Sequence, residues 1–201
     1  MTSVPHTTAT AIDPTRTALL LMDFQPAVLA AVPGSADVLA RASEALGWAR
    51  THDVQVVFVR VALTPADAAA VPDRNKTFAQ AARAGWLEDG TPATALHDSL
   101  KVHERDLTIR KVRISAFASD TDLRAQLLQR GIDTLILGGL TTSGVVLTTL
   151  RQAADEDYRL FVLTDATGDT DPEVHRVLTE KVFPHQAEMI TTTDLANLSS
   201  A

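Results

Sequence analysis

Leu135-Ile136-Leu137-Gly138-Gly139-Leu140-Thr141-Thr142-Ser143-Gly144-Val145-Val146-Leu147 is the stretch on which the fold turns. Thr134 to Leu137 is a short run of leucine and β-branched residues, the composition of a strand buried on both faces. Gly138-Gly139 is read as ending it, because glycine permits both a sharp turn and a close backbone approach to a ligand. From Ser143 onward apolar residues recur at helical spacing, at Val146, Leu150, Ala153 and Ala154. A strand that breaks through such a turn into a helix gathers unpaired N–H groups at one point, which suits an oxyanion or a carboxylate. The residues alone read equally well as an ordinary turn of an α/β fold with no ligand.

Working outward, Thr17 to Met22 is a buried strand that delivers Asp23-Phe24-Gln25 at its carboxyl end, where Pro26 stops it. Further strands are predicted at Val54–Val61, at Leu107–Arg110 ending on Lys111, at Tyr158–Leu163 and at Ala187–Thr191. Between them lie helical patterns. Ser35 caps one that runs to about Thr51, with Ala36, Leu39, Ala42, Leu46 and Ala49 turned inward. A second starts at Asp120 or Thr121, carries Leu123, Leu127 and Leu128, and is closed by Gly131. Asp171-Pro172-Glu173 opens the last, with Val174, Val177, Leu178 and Val182 on its apolar side. Residues 62–106 are broken by Pro65, Pro72 and Pro92 and offer only a short helix at Phe78–Ala84, the pattern of a lid or an oligomer contact. The expectation is therefore an α/β three-layer sandwich, Rossmann-like, with a six-stranded parallel sheet between helices. Residues 1–15 would form a flexible lead-in, and residues 16–201 one domain.

The chain has 201 residues, and a formal charge of −7 made of scattered acids and bases leaves no basic stripe for nucleic acid. It contains no cysteine, so a thiolate nucleophile, a thiolate metal site and a disulfide are all excluded. Met1 to Asp13 lacks the apolar stretch of a signal peptide, and no apolar run approaches the ~18 residues of a membrane span. A soluble, cytoplasmic protein without membrane partners is expected. In open α/β sheets ligands sit outside the carboxyl ends of the strands. That rule selects Asp23, Lys111 and the Gly139–Val145 turn: a carboxylate, an ammonium and an oxyanion-type turn on one rim.

Three blocks then carry a resemblance. Leu20-Leu21-Met22-Asp23-Phe24-Gln25, Lys111-Val112-Arg113-Ile114-Ser115-Ala116-Phe117 and Gly139-Leu140-Thr141-Thr142-Ser143-Gly144-Val145-Val146 resemble, in order, the signature blocks of the isochorismatase-like hydrolases. The resemblance covers nearly the whole chain. It implies the isochorismatase-like fold, commonly a homodimer or larger homo-oligomer, and a site of aspartate, lysine and cysteine. The first two map onto Asp23 and Lys111, and the cysteine position onto Val145. Valine cannot be acylated, so the amidase chemistry of the family's thiolate is out of reach at that position. Isochorismatases proper also lack the cysteine and cleave a vinyl ether, where protonation of the enol carbon and attack by water need no covalent intermediate. They usually carry glycine there, not valine. The resemblance further implies a cis peptide at Leu140–Thr141, oxyanion donors at the N–H groups of Thr141 and Val145, and substrate contacts among Phe24, Gln25, Leu140, Thr141, Thr142, Ser143 and Gly144. Gln25 would orient Asp23 or water.

The implied function is hydrolysis of a small, carboxylated metabolite by an Asp/Lys pair without a cysteine. Two other readings stand beside it: an inactive homologue that binds a metabolite or acts as a scaffold, and an amide hydrolase using Ser143 or Thr141. Ser143 is a nucleophile by type, yet its place before Gly144 suits a helix cap and no histidine lies near it in sequence. The six histidines form no pair at metal-ligand spacing, so no metal and no cofactor are expected. Arg74-Asn75-Lys76-Thr77-Phe78 reads as a solvated helix start or as an anion-binding arm over the rim, and Trp48 and Trp86 as packing or interface residues.

Overall fold

The computed structural model describes residues 11–198. Six strands, β1 (Thr17–Met22), β2 (Gln55–Val61), β3 (Leu107–Lys111), β4 (Thr134–Leu140), β5 (Arg159–Gly168) and β6 (Glu188–Ile190), form one sheet in the order β3-β2-β1-β4-β5-β6. Every pairing is parallel. The helices are α1 (Pro26–Leu29), α2 (Ser35–Thr51), α3 (Pro65–Ala69), α4 (Lys76–Ala84), α5 (Leu123–Gln129), α6 (Leu147–Asp155), α7 (Pro172–Val177) and α8 (Leu195–Leu198).

The period-2 alternation of strand side chains divides the core in two. Leu19 and Leu21, Val56 and Phe58, Ile136, Phe161 and Leu163 face one layer, where α2 and α8 bring Ala42, Ala45, Leu46, Ala49, Leu195 and Leu198. Ala18, Leu20 and Met22, Val57 and Val59, Leu135 and Leu137, Leu160 and Val162 face the other, against Leu123 and Leu127 of α5 and Leu150 and Ala153 of α6. Because both faces are covered, the strands read as unbroken apolar runs.

Several local expectations change. Gly138 and Gly139 lie inside β4 and do not end it. A Cβ on Gly139 would stand 2.7 Å from the Met22 carbonyl oxygen, so glycine is there to let β4 lie close against β1. β5 runs on to Gly168, past the expected end at Leu163, through a register shift opposite Leu137 and Gly139. Ser35 is the first residue of α2 and Gly34 its cap. Ala36 is exposed, since six residues before Ala42 it falls about 120° round the helix; Ala45 takes the inward place. α5 begins at Leu123, and its Leu128 is 76% exposed, one step round from the inward pair Leu123 and Leu127. Beyond α7 a wide turn at Leu178–Val182 shifts the helical phase, which leaves Val174 and Val177 at the surface and turns Thr179 and Phe183 inward.

Of the lead-in, residues 1–10 lie outside the described residues. Residues 11–15 are tied down: the Ile12 N–H donates to the Leu198 carbonyl at 3.0 Å, and Asp13 caps the short turn Pro14–Arg16. Within the 62–106 insertion, Thr64 and Asp67 form a capping box on α3, a helix the proline-rich sequence hid. No helix among the described residues is long and apolar enough to cross a membrane.

The close approach of β1 and β4 is testable. Gly139→Ala should destabilise the protein by about 1–3 kcal/mol, because its Cβ meets backbone rather than a movable side chain. A fall in the urea midpoint at unchanged slope is the expected reading.

Candidate active site

Strand order positions the site. β1 continues through β2 to β3 on one side, and β4 through β5 to β6 on the other, so the chain reverses direction between β1 and β4. That is where a parallel sheet opens a crevice at its carboxyl edge. Asp23 follows β1 and the Thr141–Val146 turn follows β4, with Met22 and Gly139 in register. Lys111 ends β3, two strands or about 10 Å from β1. Only a long side chain closes that gap.

It does close it. Lys111 Nζ donates to Asp23 Oδ2 at 2.8 Å and to the Arg113 carbonyl oxygen at 3.2 Å. The side chains are 1% and 7% exposed. The other carboxylate oxygen, Oδ1, is buried with no hydrogen-bond partner. Burial pushes the Asp23 carboxyl above its usual range, and the Lys111 ammonium opposes that shift without cancelling it. Asp23 has φ +60°. Asp53 and Asp157, the other non-glycine residues with positive φ among those described, each follow a helix; Asp23 follows a strand. Its N–H donates to the Val59 carbonyl at 2.8 Å and its carbonyl accepts from Gln25 at 2.8 Å, which hold this less favourable backbone in place.

The turn after β4 opens with a cis peptide at Leu140–Thr141. It is wider than an α-turn: the Val146 N–H reaches back to the Thr141 carbonyl at 3.3 Å. Gly144 is needed there, because a Cβ would stand 2.6 Å from Thr141 Oγ1. Ser143 does not cap it. Its side chain is exposed, and its N–H is taken by the carboxylate of Asp169 at 2.6 Å. The Thr142 hydroxyl, fully buried, shares a 2.8 Å hydrogen bond with His175 Nδ1. Burial lowers the His175 pKa, and the charge of Asp169 opposes this. Asp169 and His175 thus hold the turn from the β5 and α7 side. Neither stands out in the sequence: Asp169 is a lone carboxylate beyond the expected end of β5, and His175 lies within the last helical pattern with no partner at helical spacing.

The remaining predicted residues separate into packing and anchoring. Phe24 and Leu140 are buried in the α2 layer of the core, and Val145 in the α6 layer. The Gln25 amide does not touch Asp23. Its Nε2 donates to the carbonyls of Val61 and Thr94, at 2.9 and 2.7 Å, and its Oε1 accepts from the Val61 N–H at 2.8 Å. From the stretch Arg74–Phe78 the structure brings in Phe78 and leaves Arg74, Lys76 and Thr77 exposed. Asn75 caps α4 by accepting from the Phe78 N–H. Among the described residues, no three His, Asp or Glu side chains converge to hold a metal ion.

The site thus sets a buried carboxyl with one unpaired oxygen against an ammonium, beside the turn after β4. Comparison with known proteins gives the family. The Isochorismatase domain family matches residues 17–194. An uncharacterized isochorismatase family protein of Bacillus subtilis, YwoC, is 30% identical over 181 residues, covering 90% of this chain and 93% of its own. The ureidoacrylate amidohydrolase RutB of Methylobacterium radiotolerans is 31% identical over 83% of this chain and 72% of its own. Among solved structures, an isochorismatase family protein from Burkholderia thailandensis superposes with a TM-score of 0.81 at 26% identity, over 95% of this chain and 99% of its own. This likeness to hydrolases supports an enzymatic activity, and the chain lacks a cysteine nucleophile. By sequence and by fold, the protein belongs to the isochorismatase family.

Proposed function

We propose that the protein hydrolyses a small, carboxylated metabolite without a covalent intermediate, with Asp23 as the proton-carrying group, Lys111 as its fixed counter-charge and water as the nucleophile. One observation carries this reading: the Asp23 carboxyl is buried with one oxygen on Lys111 and the other unpaired. A buried polar atom left without a partner costs free energy, and a substrate atom at Oδ1 would satisfy it. Burial favours the protonated carboxyl, as a general acid requires. In vinyl-ether hydrolysis, the nearest precedent in the family it resembles, Asp23 would give its proton to the enol carbon. Water then adds to the oxocarbenium carbon, the ether C–O bond breaks to a ketone and an alcohol, and a water proton restores Asp23. Lys111 holds the negative charge that Asp23 gains meanwhile.

Amide hydrolysis is the second reading, because relatives of the chain are named ureidoacrylate amidohydrolase and maleamate amidohydrolase. It needs a hydroxyl nucleophile here. Ser143 is exposed but has no histidine in contact, and the hydroxyl that does, Thr142, is fully buried. The arrangement favours water.

Asp23→Asn keeps shape and an oxygen for Lys111 but removes the titrating group. It should reduce turnover by about 10²–10⁴-fold with an unchanged circular dichroism spectrum; full activity in the folded variant would overturn the assignment. The same change tests the proton. A carboxyl whose folded pKa lies above 3.8 binds its proton more tightly in the native state. Stability from that proton is complete below the unfolded value and is lost as pH rises through the folded one. The unfolding free energy of the wild type relative to Asp23→Asn should therefore fall as pH rises above about 4. Ser143→Ala should leave kcat nearly unchanged, and mass spectrometry of wild type quenched during turnover should find no acyl ester on Ser143.

A further inference from the structure

We propose that Arg113 is the specificity residue of this site and that it takes the substrate's carboxylate, with its guanidinium over the ring of Phe78. The proposal rests on the reading of Asp23 and Lys111 as the reacting pair. It begins from an imbalance. Five arginines among the described residues are half-buried: Arg50, Arg60, Arg110, Arg113 and Arg159. Four of them meet a carboxylate within the chain, in Asp106, Asp89, Asp67 and Glu188. Arg113 meets none. Its described hydrogen bond goes to the carbonyl of its own neighbour, Val112, at 2.6 Å, which uses one of five N–H donors. Within its own loop, the Asp120 carboxylate accepts the Val112 N–H instead. A partly desolvated cation lacking a counter-ion is costly unless something outside the chain supplies one.

Its position says what that is. The Arg113 carbonyl accepts from Lys111 Nζ at 3.2 Å, so the residue sits directly against the reacting pair. The next residue, Ile114, places its Cγ2 3.9 Å from where a Gly144 Cβ would lie, so the loop spans from Lys111 to the turn after β4. The guanidinium lies 5.7 Å from the centroid of Phe78, a ring buried among Val61, Leu63, Val112 and Ile114. Held over the ring in this way, the guanidinium presents its planar fork to a bidentate carboxylate. The charge balance asks for it too. Lys111 is already engaged by Asp23 and by the Arg113 carbonyl, and a chain of net charge −7 repels an anionic ligand unless a further local cation draws it in. Arg113 is that cation. It binds the non-reacting end of the substrate while Asp23 meets the other.

Two small probes of equal shape test this: succinamate, with one carboxylate, and succinamide, with none, each titrated by calorimetry and by ligand-observed NMR. Wild type should prefer succinamate by about tenfold or more. Arg113→Gln should lose the preference. Arg113→Lys, which keeps the charge but not the fork, should retain part of it, as should Phe78→Leu, which removes the ring beneath. Asp23→Asn should retain all of it, so loss of turnover in that variant and loss of carboxylate preference in Arg113→Gln report on different claims. Unchanged preference in folded Arg113→Gln, or no preference or no binding in the wild type, overturns the proposal. A counter-ion donated by a second copy of the chain would instead show as a change in sedimentation of Arg113→Gln, with no succinamate preference in the wild type.

Discussion

Taking a carboxylate and an ammonium out of water together is the constraint around which the carboxyl edge of the sheet is arranged. Desolvation costs several kcal/mol per ion, and mutual attraction offsets it only where geometry is good and the remaining donors are met. Lys111 meets the condition through Asp23 and the Arg113 carbonyl, and Asp23 meets half of it. Removing one partner of such a pair strands a buried charge at a cost of about 3–5 kcal/mol, whereas apolar residues of similar volume would often be as stable. The pair is therefore poor ground for stability and good ground for chemistry. Its neighbours are fitted to it. The left-handed backbone at Asp23 is held from β2 through Val59, and β3 must end level with β1 so that a lysine can reach across.

The turn beyond β4 solves a different problem. Where the family resemblance places a thiol, this chain buries Val145 among Leu20, Met22 and Val146. The turn nevertheless keeps its wide geometry, a glycine where a Cβ would strike Thr141, and a carboxylate on the Ser143 N–H. The contacts that hold the turn thus do not involve the side chain at 145. Asp169 and the Thr142–His175 pair bring the β5 and α7 side of the sheet to bear on the turn.

What the sequence makes legible is whatever has a short period or a fixed chemistry. All six strands, the helices at α2, α4 and α6, and the convergence of Asp23, Lys111 and the glycine-rich turn follow from apolar runs and from the rule that sites lie at strand carboxyl ends. The errors are equally physical. Gly138 and Gly139 looked like a terminus because a glycine pair has the same composition whether it breaks a strand or lets two strands approach. Val174 and Val177 were turned inward on the assumption of an unbroken 3.6-residue period, which the wide turn at Leu178–Val182 upsets. Gln25, next door to Asp23, was given a part in the chemistry, yet its amide belongs to the sheet. Asp169 lies in no motif, and Arg113, though inside the second signature block, carries nothing in sequence that tells what stands opposite it in space.

Gln25 carries one more implication, for how such a protein can change. Its amide grips the backbone of Val61 and the backbone of Thr94, and so clips the 62–106 segment to the sheet through groups that every amino acid possesses. A fastening of that kind is blind to the side chains it holds. The segment can exchange its side chains, and with them the surface it presents, while the joint beneath stays the same. Variation along the segment is thereby uncoupled from preservation of the frame, and a designer wishing to reshape it would rewrite its side chains and leave Gln25 alone.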